Sequence, residues 1–384
     1  MKICIVTGTR AEYGLLYWTI KRLLSDKYFE VQLCVTGMHL SPEFGLTYKQ
    51  IEKDGIKINK KVEMLLSSDS ASGVSKSIGL GIISFADVFS DLKPDMVLLL
   101  GDRYEIFAAA TAAMIAKIPI AHCHGGEATE GLIDEPIRHS VTKMSHLHFT
   151  STEEYRKRVI QLGEQPNTVF NIGALGIENI NKLNLLSKSD FEKSIGLKLL
   201  KKTFLITFHP VTLENSTAEN QFINLLSAIK NYSNTTYIFT MPNADNDGRI
   251  IINLIKNFVT NNQSTSIAFT SLGQLRYLSA IKHVDLVIGN SSSGLIEVPS
   301  FKKPTVNIGD RQKGRVYGLS VINCGPSKKE IIESINLGLS KSFRKKLEKS
   351  SNPYGNKNSS IEIVKILKKV VVNENLVKKR FYNL

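Results

Sequence analysis

The chain has 384 residues, of which 42% are hydrophobic and 22% charged, a composition typical of a globular protein that is too long for one core. Its formal net charge is +14, but residues 321–384 contain 14 Lys or Arg against 5 Asp or Glu, dispersed along helix-like segments. This distribution favours a solvated helical face over a nucleic-acid-binding surface.

A βαβ rhythm runs through the first half, where short apolar runs alternate with longer segments of helical periodicity. The predicted strands are residues 2–6, 31–35, 95–100, 118–122 and 148–150. The predicted helices are residues 12–24, 74–92, 104–116 and 135–144. Continuous apolar runs such as Met96-Val97-Leu98-Leu99-Leu100 are typical of parallel strands buried on both faces. We therefore expect a parallel sheet covered by helices, an α/β fold.

The same rhythm restarts in the second half, after a segment rich in Lys, Ser and Asn. Strands are predicted at residues 204–208, 236–240, 266–270, 285–288 and 305–308. We expect two Rossmann-like domains, residues 1–172 and 173–384, with the carboxyl ends of their strands facing a shared cleft. A last long helix is predicted at residues 361–379, with Ser359 and Ser360 as N-cap candidates. Whether that helix packs back on the first domain is left open.

Four acids collect in the loops that follow neighbouring strands of the first domain. They are Asp102, Glu127, Asp134 and Glu135, and they are accompanied by Arg103, His122, His124, Arg138 and His139. Carboxyl groups gathered in one cleft include members with a raised pKa, which general acid and base catalysis needs. The alternative for one of Asp134 and Glu135 is an acid that only interacts with a helix dipole. We expect the cluster as a whole to be catalytic.

A metal site is the competing hypothesis for these loops. His122 and His124 are separated by one residue at a strand end, and so are His146 and His148. Such pairs more often hydrogen-bond locally, and no Cys or carboxylate completes a ligand spacing around them. We therefore predict that the protein has no metal site.

Several loops carry groups that bind anions, and the positive charge outside residues 321–384 suits a substrate that carries phosphate. The turn Gly8-Thr9-Arg10 follows the first strand and opens a helix, and His209 closes the first strand of the second half. Residues 289–294 offer three serines and backbone N–H groups before Glu297, a possible acceptor for ribose hydroxyls. The next loop adds three positive charges, from Arg311, Lys313 and Arg315. Together these loops predict a bound nucleoside diphosphate.

The cysteines and the start of the chain bear on the compartment. Cys4, Cys34, Cys123 and Cys324 are far apart and show no Cys-x-x-Cys spacing, which is typical of buried thiols under reducing conditions. The four apolar residues after Lys2 are fewer than the roughly 7–15 of a secretory signal, and no apolar run approaches the ~20 residues that cross a bilayer. We expect a cytoplasmic protein that does not span a membrane.

Eight short motifs, in their order and spacing, resemble the UDP-N-acetylglucosamine 2-epimerase family over essentially the full chain, and most of all its hydrolysing branch in sialic acid biosynthesis. The motifs are Gly8-Thr9-Arg10-Ala11-Glu12-Tyr13, Thr36-Gly37-Met38-His39, Gly101-Asp102-Arg103, His124-Gly125-Gly126-Glu127, Ile137-Arg138-His139, Phe208-His209-Pro210, Gly289-Asn290-Ser291-Ser292 and Arg311-Gln312-Lys313-Gly314-Arg315. The resemblance implies a GT-B-like fold in which the second domain binds most of the UDP.

The resemblance also implies roles for individual residues. Those around the nucleotide are Arg10, His209, Ser291, Ser292, Glu297, Arg311 and Arg315, and the motifs add His39, Arg103, Arg138 and His139 as substrate-binding candidates. Asp102, Asp134 and Glu135 carry over as catalytic carboxylates. Many hydrolysing members have Glu at the position of His124, so two replacements for that acid stay open. Either His124 transfers a proton itself or Glu127 moves into its place.

The implied reaction converts UDP-N-acetylglucosamine to UDP and N-acetylmannosamine, for sialic acid and capsule polysaccharide biosynthesis. A carboxylate removes the C2 proton as UDP leaves C1, and a glycal forms. Water then adds at C1 while a proton returns to the other face of C2. This route needs no nicotinamide, no other cofactor and no metal.

Four alternatives and one expectation about assembly accompany this hypothesis. The chain could catalyse the same reaction on UDP-N,N'-diacetylbacillosamine in legionaminic acid synthesis, or it could be a GT-B glycosyltransferase. It could instead be a non-catalytic nucleotide-sugar sensor or a nucleic-acid binder, although the acids of the cluster would repel nucleic-acid phosphate. We expect a homo-oligomer, a dimer or a tetramer, that binds a nucleotide sugar and neither nucleic acid nor a membrane.

Overall fold

The computed structural model describes residues 1–66, 70–130, 132–211, 218–242, 248–355 and 358–384. The strands, in chain order, are β1 (Lys2–Thr7), β2 (Glu30–Thr36), β3 (Lys60–Val62), β4 (Met96–Leu100), β5 (Ile120–Cys123), β6 (Leu147–Thr150), β7 (Val169–Asn171), β8 (Lys202–Thr207), β9 (Thr235–Thr240), β10 (Ser266–Phe269), β11 (Leu286–Gly289), β12 (Thr305–Ile308) and β13 (Val321–Cys324).

Helices connect most of these strands. They are α1 (Arg10–Ser25), α2 (Tyr48–Lys53), α3 (Ala71–Leu92), α4 (Tyr104–Ile115), α5 (Asp134–Met144), α6 (Glu153–Gln161), α7 (Leu175–Lys182), α8 (Lys188–Ile195), α9 (Ala218–Ile229), α10 (Gly248–Asn261), α11 (Gly273–His283), α12 (Ser293–Ile296), α13 (Lys328–Leu339), α14 (Lys341–Glu348), α15 (Ser359–Lys369) and α16 (Glu374–Val377). No helix of the described ranges has the length and apolar character that crossing a membrane requires.

Two compact units make up the chain. The first comprises Met1–Glu127, Asp134–Asn179 and Tyr354–Leu384, and the second comprises Ala128–Ile133 and Ile180–Pro353. The boundary expected between residues 172 and 173 therefore differs from the division in the structure. The residues from Tyr354 onward, which the sequence assigned to the second domain, belong to the first unit.

The first unit is built on a seven-stranded sheet in the order β3-β2-β1-β4-β5-β6-β7, with every pair of neighbours parallel. Alternate side chains of β1 point to opposite faces, so Ile3 and Ile5 enter one core cluster while Cys4 and Val6 enter the other. All four are completely buried. Burial on both faces explains why the strands are continuous apolar runs.

The last long helix of the prediction is two helices in the structure. α15 buries Ile363, Val364 and Leu367 in the core cluster that contains Ile3 and Ile5, which accounts for the return of the C-terminal segment to the first unit. The chain leaves helical conformation at Val370, and Asn373 caps α16 by accepting hydrogen bonds from two backbone N–H groups. The three valines at 370–372 disfavour helix, and an Asn at an N-cap begins a new one.

The predicted N-cap role of Ser359 and Ser360 is wrong. Both serines lie in the first turn of α15, and Asn358 is at the cap position. The buried carboxylate of Glu178 accepts from the N–H of Ser360 at 2.8 Å and from its hydroxyl at 2.7 Å. A side chain distant in sequence thus satisfies the free N–H group at the start of this helix.

The second unit repeats the architecture with a six-stranded parallel sheet in the order β10-β9-β8-β11-β12-β13. Phe204 and Ile206 of β8 enter one core cluster, and Leu205 enters the cluster on the opposite face. The predicted α/β class with two Rossmann-like parallel sheets is confirmed. In each unit, the central strands end at the loops that carry the candidate site residues.

Candidate active site

Arg138 of α5 brings two of the predicted catalytic carboxylates together. Its side chain is 1% exposed, and its Nε donates to Oδ2 of Asp102 at 2.9 Å while Nη2 contacts the same oxygen. Nη1 donates to Oε2 of Glu135 at 2.6 Å and to the backbone carbonyl of Glu127 at 2.8 Å. The carboxylates of Asp102 and Glu135 are each 25% exposed, so both remain accessible. One buried guanidinium therefore organises the acid cluster.

The turn that presents Asp102 depends on a buried histidine. Gly101 has φ +85°, a conformation that favours glycine. Nε2 of His122 is 2.7 Å from the Gly101 carbonyl oxygen, which can only accept, so this nitrogen donates. Complete burial lowers the pKa of His122 to about 3, which keeps the ring neutral. His122 thus supports the turn and is not itself accessible.

His124 and Glu127 hold each other in the interior. The backbone N–H of Leu175 donates to Nε2 of His124 at 3.3 Å, and Nδ1 of His124 lies 3.2 Å from Oε1 of Glu127. The same carboxylate oxygen accepts from Ser151 Oγ at 3.1 Å. Both ring nitrogens of His124 therefore have a polar neighbour. His124 is 9% exposed and Glu127 is 4% exposed.

The other histidine pair of the metal hypothesis also hydrogen-bonds locally. His146 Nδ1 accepts from the N–H of Ile120 at 3.1 Å, and His148 Nε2 lies 3.1 Å from Oε2 of Glu164. Lys143 and Lys379 pair with the same carboxylate at 2.6 and 2.7 Å. Within the part of the chain that the structure describes, no group of three or more His, Cys, Asp or Glu side chains is arranged to hold a metal ion.

The remaining candidates of the first unit are only partly accessible. Arg10 is exposed at the first position of α1, and Asp134 is half-buried at the first position of α5. His139 Nε2 lies 3.1 Å from Oε1 of Glu135, and Arg103 is 27% exposed. His39, expected to bind substrate, is fully buried, and its two ring nitrogens hydrogen-bond to Thr7 and Thr47.

Sequence reasoning missed two buried acids beside these residues. Glu12 is 7% exposed and Glu105 is completely buried, and burial together with the charge of Glu105 raises the pKa of Glu12 to about 8. Glu12 was not among the four acids for which the sequence predicted a raised pKa. In the sequence, Glu12 lies in the Thr9-x-x-Glu12 pattern, which is typical of a helix start, and in the first of the eight resemblance motifs.

In the second unit, Asn290 joins the loops that carry the predicted anion-binding groups. Its Oδ1 accepts from the N–H of His209 at 2.7 Å, and its Nδ2 donates to the His209 carbonyl at 2.8 Å. The backbone carbonyl of Asn290 accepts from Arg311 Nη1 at 3.1 Å and from Gln312 Nε2 at 2.8 Å. Asn290 is 1% exposed. The motif containing it was recognised, but this linking role was not.

The geometry of this loop requires glycine at one position. Gly289 has φ +137°, and a Cβ there would lie 1.9 Å from the backbone oxygen of Thr207. The close approach of the two strand ends places Asn290 between them. Ser291 and Ser292 follow, half-buried, before the single turn of α12, and the half-buried Glu297 comes directly after that turn.

His209 and the arginines give the loop its charge. Burial and the nearby charge of Arg311 lower the pKa of His209 to about 3, so its imidazole is neutral at physiological pH. Arg311 and Arg315 are half-buried on the loop that begins after β12. A neutral histidine, two arginines and serine hydroxyls can together donate hydrogen bonds and supply positive charge to a phosphate group.

Comparison with known proteins agrees with these features. The chain matches the model of the UDP-N-acetylglucosamine 2-epimerase family over residues 21–368. It is 47% identical over 322 residues to a GDP/UDP-N,N'-diacetylbacillosamine 2-epimerase (hydrolyzing) from Campylobacter jejuni, covering 84% of each chain. It is 45% identical over 384 residues to the polysialic acid biosynthesis protein P7 of Escherichia coli, covering 100% of this chain and 97% of that protein.

The fold is shared with a solved structure. The crystal structure of UDP-GlcNAc 2-epimerase from Neisseria meningitidis, bound to UDP-GlcNAc, matches with a TM-score of 0.82 at 23% identity. The match covers 96% of this chain and 100% of that one, and it confirms the expected GT-B-like fold. The family match over residues 21–368, supported by the two relatives, shows that this chain belongs to the UDP-N-acetylglucosamine 2-epimerase family.

Proposed function

We propose that the chain is a hydrolysing 2-epimerase that converts UDP-N-acetylglucosamine to UDP and N-acetylmannosamine. The observation that carries the proposal is the pairing of Asp102 and Glu135 with the single buried guanidinium of Arg138. Inversion of C2 takes a proton from one face and returns one to the other, which requires two proton-handling groups. Two accessible carboxylates held by one arginine meet that requirement.

We assign the first proton transfer to Asp102. Its Oδ2 is held by Arg138, and its Oδ1 makes no hydrogen bond to any residue that the structure describes. The C2–H bond breaks and its proton goes to Asp102, a C1=C2 double bond forms, and the C1–O bond breaks as UDP leaves. The product of this step is a glycal.

We assign the second transfer to Glu135. His139 Nε2 lies 3.1 Å from its Oε1 and orients this carboxyl group, which is itself 25% exposed. Water adds to C1 while a proton is delivered to the other face of C2, and N-acetylmannosamine results. Asp134 at the start of the same helix is an additional candidate for this step.

In this proposal, the second unit binds and stabilises the leaving group, UDP. Negative charge develops on the β-phosphate as the C1–O bond breaks, and positioned donors stabilise that charge. His209, Ser291, Ser292, Arg311 and Arg315 supply such donors around Asn290, and we propose that Glu297 accepts from the ribose hydroxyls. Arg10 and Arg103 of the first unit are the further candidates for contacts with phosphate or sugar.

His124 and Glu127 were the two alternatives for the acid that the resemblance implies at position 124. Nε2 of His124 accepts from the N–H of Leu175, and its Nδ1 lies 3.2 Å from Oε1 of Glu127, an oxygen that already accepts from Ser151. We propose that this pair supports the loop that follows β5 and that it transfers no proton to the sugar.

A second substrate has specific support. The relative with 47% identity is a hydrolysing 2-epimerase for GDP- or UDP-N,N'-diacetylbacillosamine, whereas the relative with 45% identity over the whole chain is a polysialic acid biosynthesis protein. The alternative is therefore the same chemistry on UDP-N,N'-diacetylbacillosamine. Purified protein should be given each UDP-sugar separately, with products identified by NMR and kcat/KM compared. A kcat/KM higher for the bacillosamine derivative would replace the leading substrate.

The same assay separates the glycosyltransferase reading from an epimerase. Release of UDP without any sugar acceptor supports hydrolytic epimerisation, whereas release only in the presence of an acceptor contradicts it.

We further propose a cytoplasmic homo-oligomer, a dimer or a tetramer. Four free thiols, three of them buried, support a reducing compartment. Light scattering on the purified protein measures the assembly, and a monomeric mass would contradict this part of the proposal.

A further inference from the structure

The side chain of Glu12 holds the turn between β1 and α1 by a hydrogen bond to its backbone. No step of the proposed reaction uses this side chain. The N–H of Gly8 donates to Oε2 of Glu12 at 2.7 Å, and the N–H of Glu12 donates to Oγ1 of Thr9 at 3.2 Å. These reciprocal bonds fix the backbone just before Arg10. The second oxygen of Glu12, Oε1, is buried without a hydrogen-bond partner among the described residues.

A second buried carboxyl group lies behind the same turn. Glu105 of α4 is completely buried, and a Cβ on Gly8 would lie 3.3 Å from its Cβ. A Cβ on Gly37 would lie only 2.8 Å from Oε1 of Glu105. Arg103 donates to both oxygens of Glu105, at 3.2 and 3.4 Å. The backbone of two turns and the guanidinium of Arg103 are therefore packed around one carboxylate.

The charges around Glu12 do not balance if every carboxyl group is ionised. Glu105 and Asp102 repel a charge on Glu12, and Arg103 is the cation that faces it. The backbone N–H of the neighbouring His39 donates to the Gly8 carbonyl. Burial lowers the pKa of the His39 imidazole to about 4, which keeps the ring neutral. Burial and Glu105 raise the pKa of Glu12 to about 8 against the opposing effects of Arg103 and the Gly8 N–H. Glu12 therefore carries a proton at neutral pH and a negative charge above pH 8.

We propose that Glu12 is a positioning residue that fixes the Gly8–Arg10 turn for the phosphate-bearing part of the substrate. This inference rests on the proposed function, because it takes the substrate to be a UDP-sugar. Its side chain does not touch the sugar; it acts through the Gly8 amide and the helix start. Ionisation of Glu12 adds a negative charge beside this turn and weakens the binding of a diphosphate.

The test is the dependence of KM on pH. Both phosphates of a UDP-sugar are esterified and keep the same charge between pH 7 and 9. The uracil N3–H begins to ionise toward pH 9, but it does so equally for the unaltered chain and for E12Q, so the difference between their profiles reports on Glu12. We expect the KM of the unaltered chain to rise about tenfold between pH 7 and 9. In E12Q, which keeps an oxygen acceptor for the Gly8 N–H and cannot ionise, KM should change less than about twofold over the same range. At pH 7 the kcat of E12Q should equal that of the unaltered chain.

Two further variants extend the comparison. E30Q removes a carboxyl group from the exposed first position of β2 and should keep the KM profile of the unaltered chain. E105Q removes the charge that raises the pKa of Glu12, so the rise in KM should move to lower pH. If E12Q folds poorly, the dependence of KM on pH in the unaltered chain and in E105Q still tests the inference.

A KM that is constant from pH 7 to 9 in the unaltered chain would overturn the inference, as would an unchanged rise in E12Q. Loss of kcat at pH 7 with an unchanged KM in E12Q would also overturn it, since that result would make Glu12 a catalytic residue. These outcomes leave the proposed function intact as long as the unaltered chain turns over a UDP-sugar. Absence of turnover with both UDP-sugars would contradict the proposed function and this inference with it.

Discussion

The side chain of Asn290 pairs with both backbone polar groups of His209, accepting from its N–H at 2.7 Å and donating to its carbonyl at 2.8 Å. This pairing holds the end of β8 beside the end of β11. The backbone carbonyl of Asn290 in turn holds Arg311 and Gln312. Asn290 therefore contacts two of the groups that we propose to bind the diphosphate, His209 through its side chain and Arg311 through its backbone.

Replacing Asn290 by Asp should weaken substrate binding while leaving kcat close to its original value. An Asp accepts from the His209 N–H but cannot donate to its carbonyl, so the buried hydrogen bond from Asn290 Nδ2 is lost at a cost of about 1–3 kcal/mol. We expect KM for the UDP-sugar to rise about tenfold, since ~1.4 kcal/mol is a factor of ten. Steady-state kinetics and urea unfolding measure the two effects. An unchanged KM with full stability would show that the pairing is dispensable.

Asp102→Asn should abolish turnover and leave the affinity for UDP almost unchanged. The amide cannot take up the C2 proton, and the residue belongs to the first unit, to which we assign the sugar chemistry. Calorimetric titration with UDP is the control, because it reads binding without catalysis. Loss of UDP binding would instead place Asp102 at the nucleotide.

His209→Ala and Arg311→Ala should have the opposite effect. Each removes a donor proposed for the diphosphate, and a charged hydrogen bond contributes about 1.5–3 kcal/mol. We expect KM to rise at least about tenfold and the dissociation constant of UDP to rise in parallel. Lys328→Ala, at the exposed first position of α13, removes a positive charge elsewhere in the second unit and serves as a matched control. Unchanged KM values in both variants would refute the diphosphate site.

His124→Asn should lower stability more than it lowers kcat. Asn tolerates the positive φ of +66° at this position, but it loses the paired contacts to Leu175 and Glu127. We expect the free energy of unfolding to fall by about 1–3 kcal/mol, while kcat retains its pH dependence. Loss of one limb of the pH profile of kcat would instead restore His124 as a proton-transfer group.

The stability of the chain should be greatest near neutral pH. The unfolded state ionises Glu12 near pH 4.5, whereas the folded state keeps its proton up to about pH 8. The stabilisation from this proton is therefore complete below pH 4.5 and is lost as the pH rises to about 8, at up to about 1.4 kcal/mol per pH unit. Buried His122 and His209, whose pKa values fall to about 3, act in the other direction and destabilise the fold below about pH 6.5.

Urea unfolding across this range measures both limbs. E12Q should remove the loss of stability that Glu12 causes between pH 4.5 and about 8, and leave the profile below pH 4.5 unchanged. Identical profiles for E12Q and the unaltered chain would contradict the assigned pKa of Glu12.

The central strands of the fold could be predicted because they are buried on both faces. The sequence of β4, for example, is an unbroken apolar run from Met96 to Leu100. The strand β3 is three residues long and begins with Lys60-Lys61, so no apolar pattern marks it. The break between α15 and α16 was missed for a different reason, since helical periodicity continued across the valines at 370–372.

Site residues could be predicted where they directly follow the end of a strand. They could not be predicted where their role depends on packing between residues distant in sequence. Asp102 and His209 follow strand ends, and parallel strands bring such loops together. The pairing of Arg138 with Asp102 joins residues 36 positions apart, which no spacing rule supplies. Glu12 fitted a helix-start pattern, and only its burial against Glu105 distinguishes it from a surface capping residue.

The most direct test of the central claim is turnover of UDP-N-acetylglucosamine in deuterated water, followed by NMR of the released sugar. We predict N-acetylmannosamine with deuterium at C2, formed together with UDP in the absence of any acceptor. A released sugar that keeps hydrogen at C2 would contradict removal of that proton by the acid cluster.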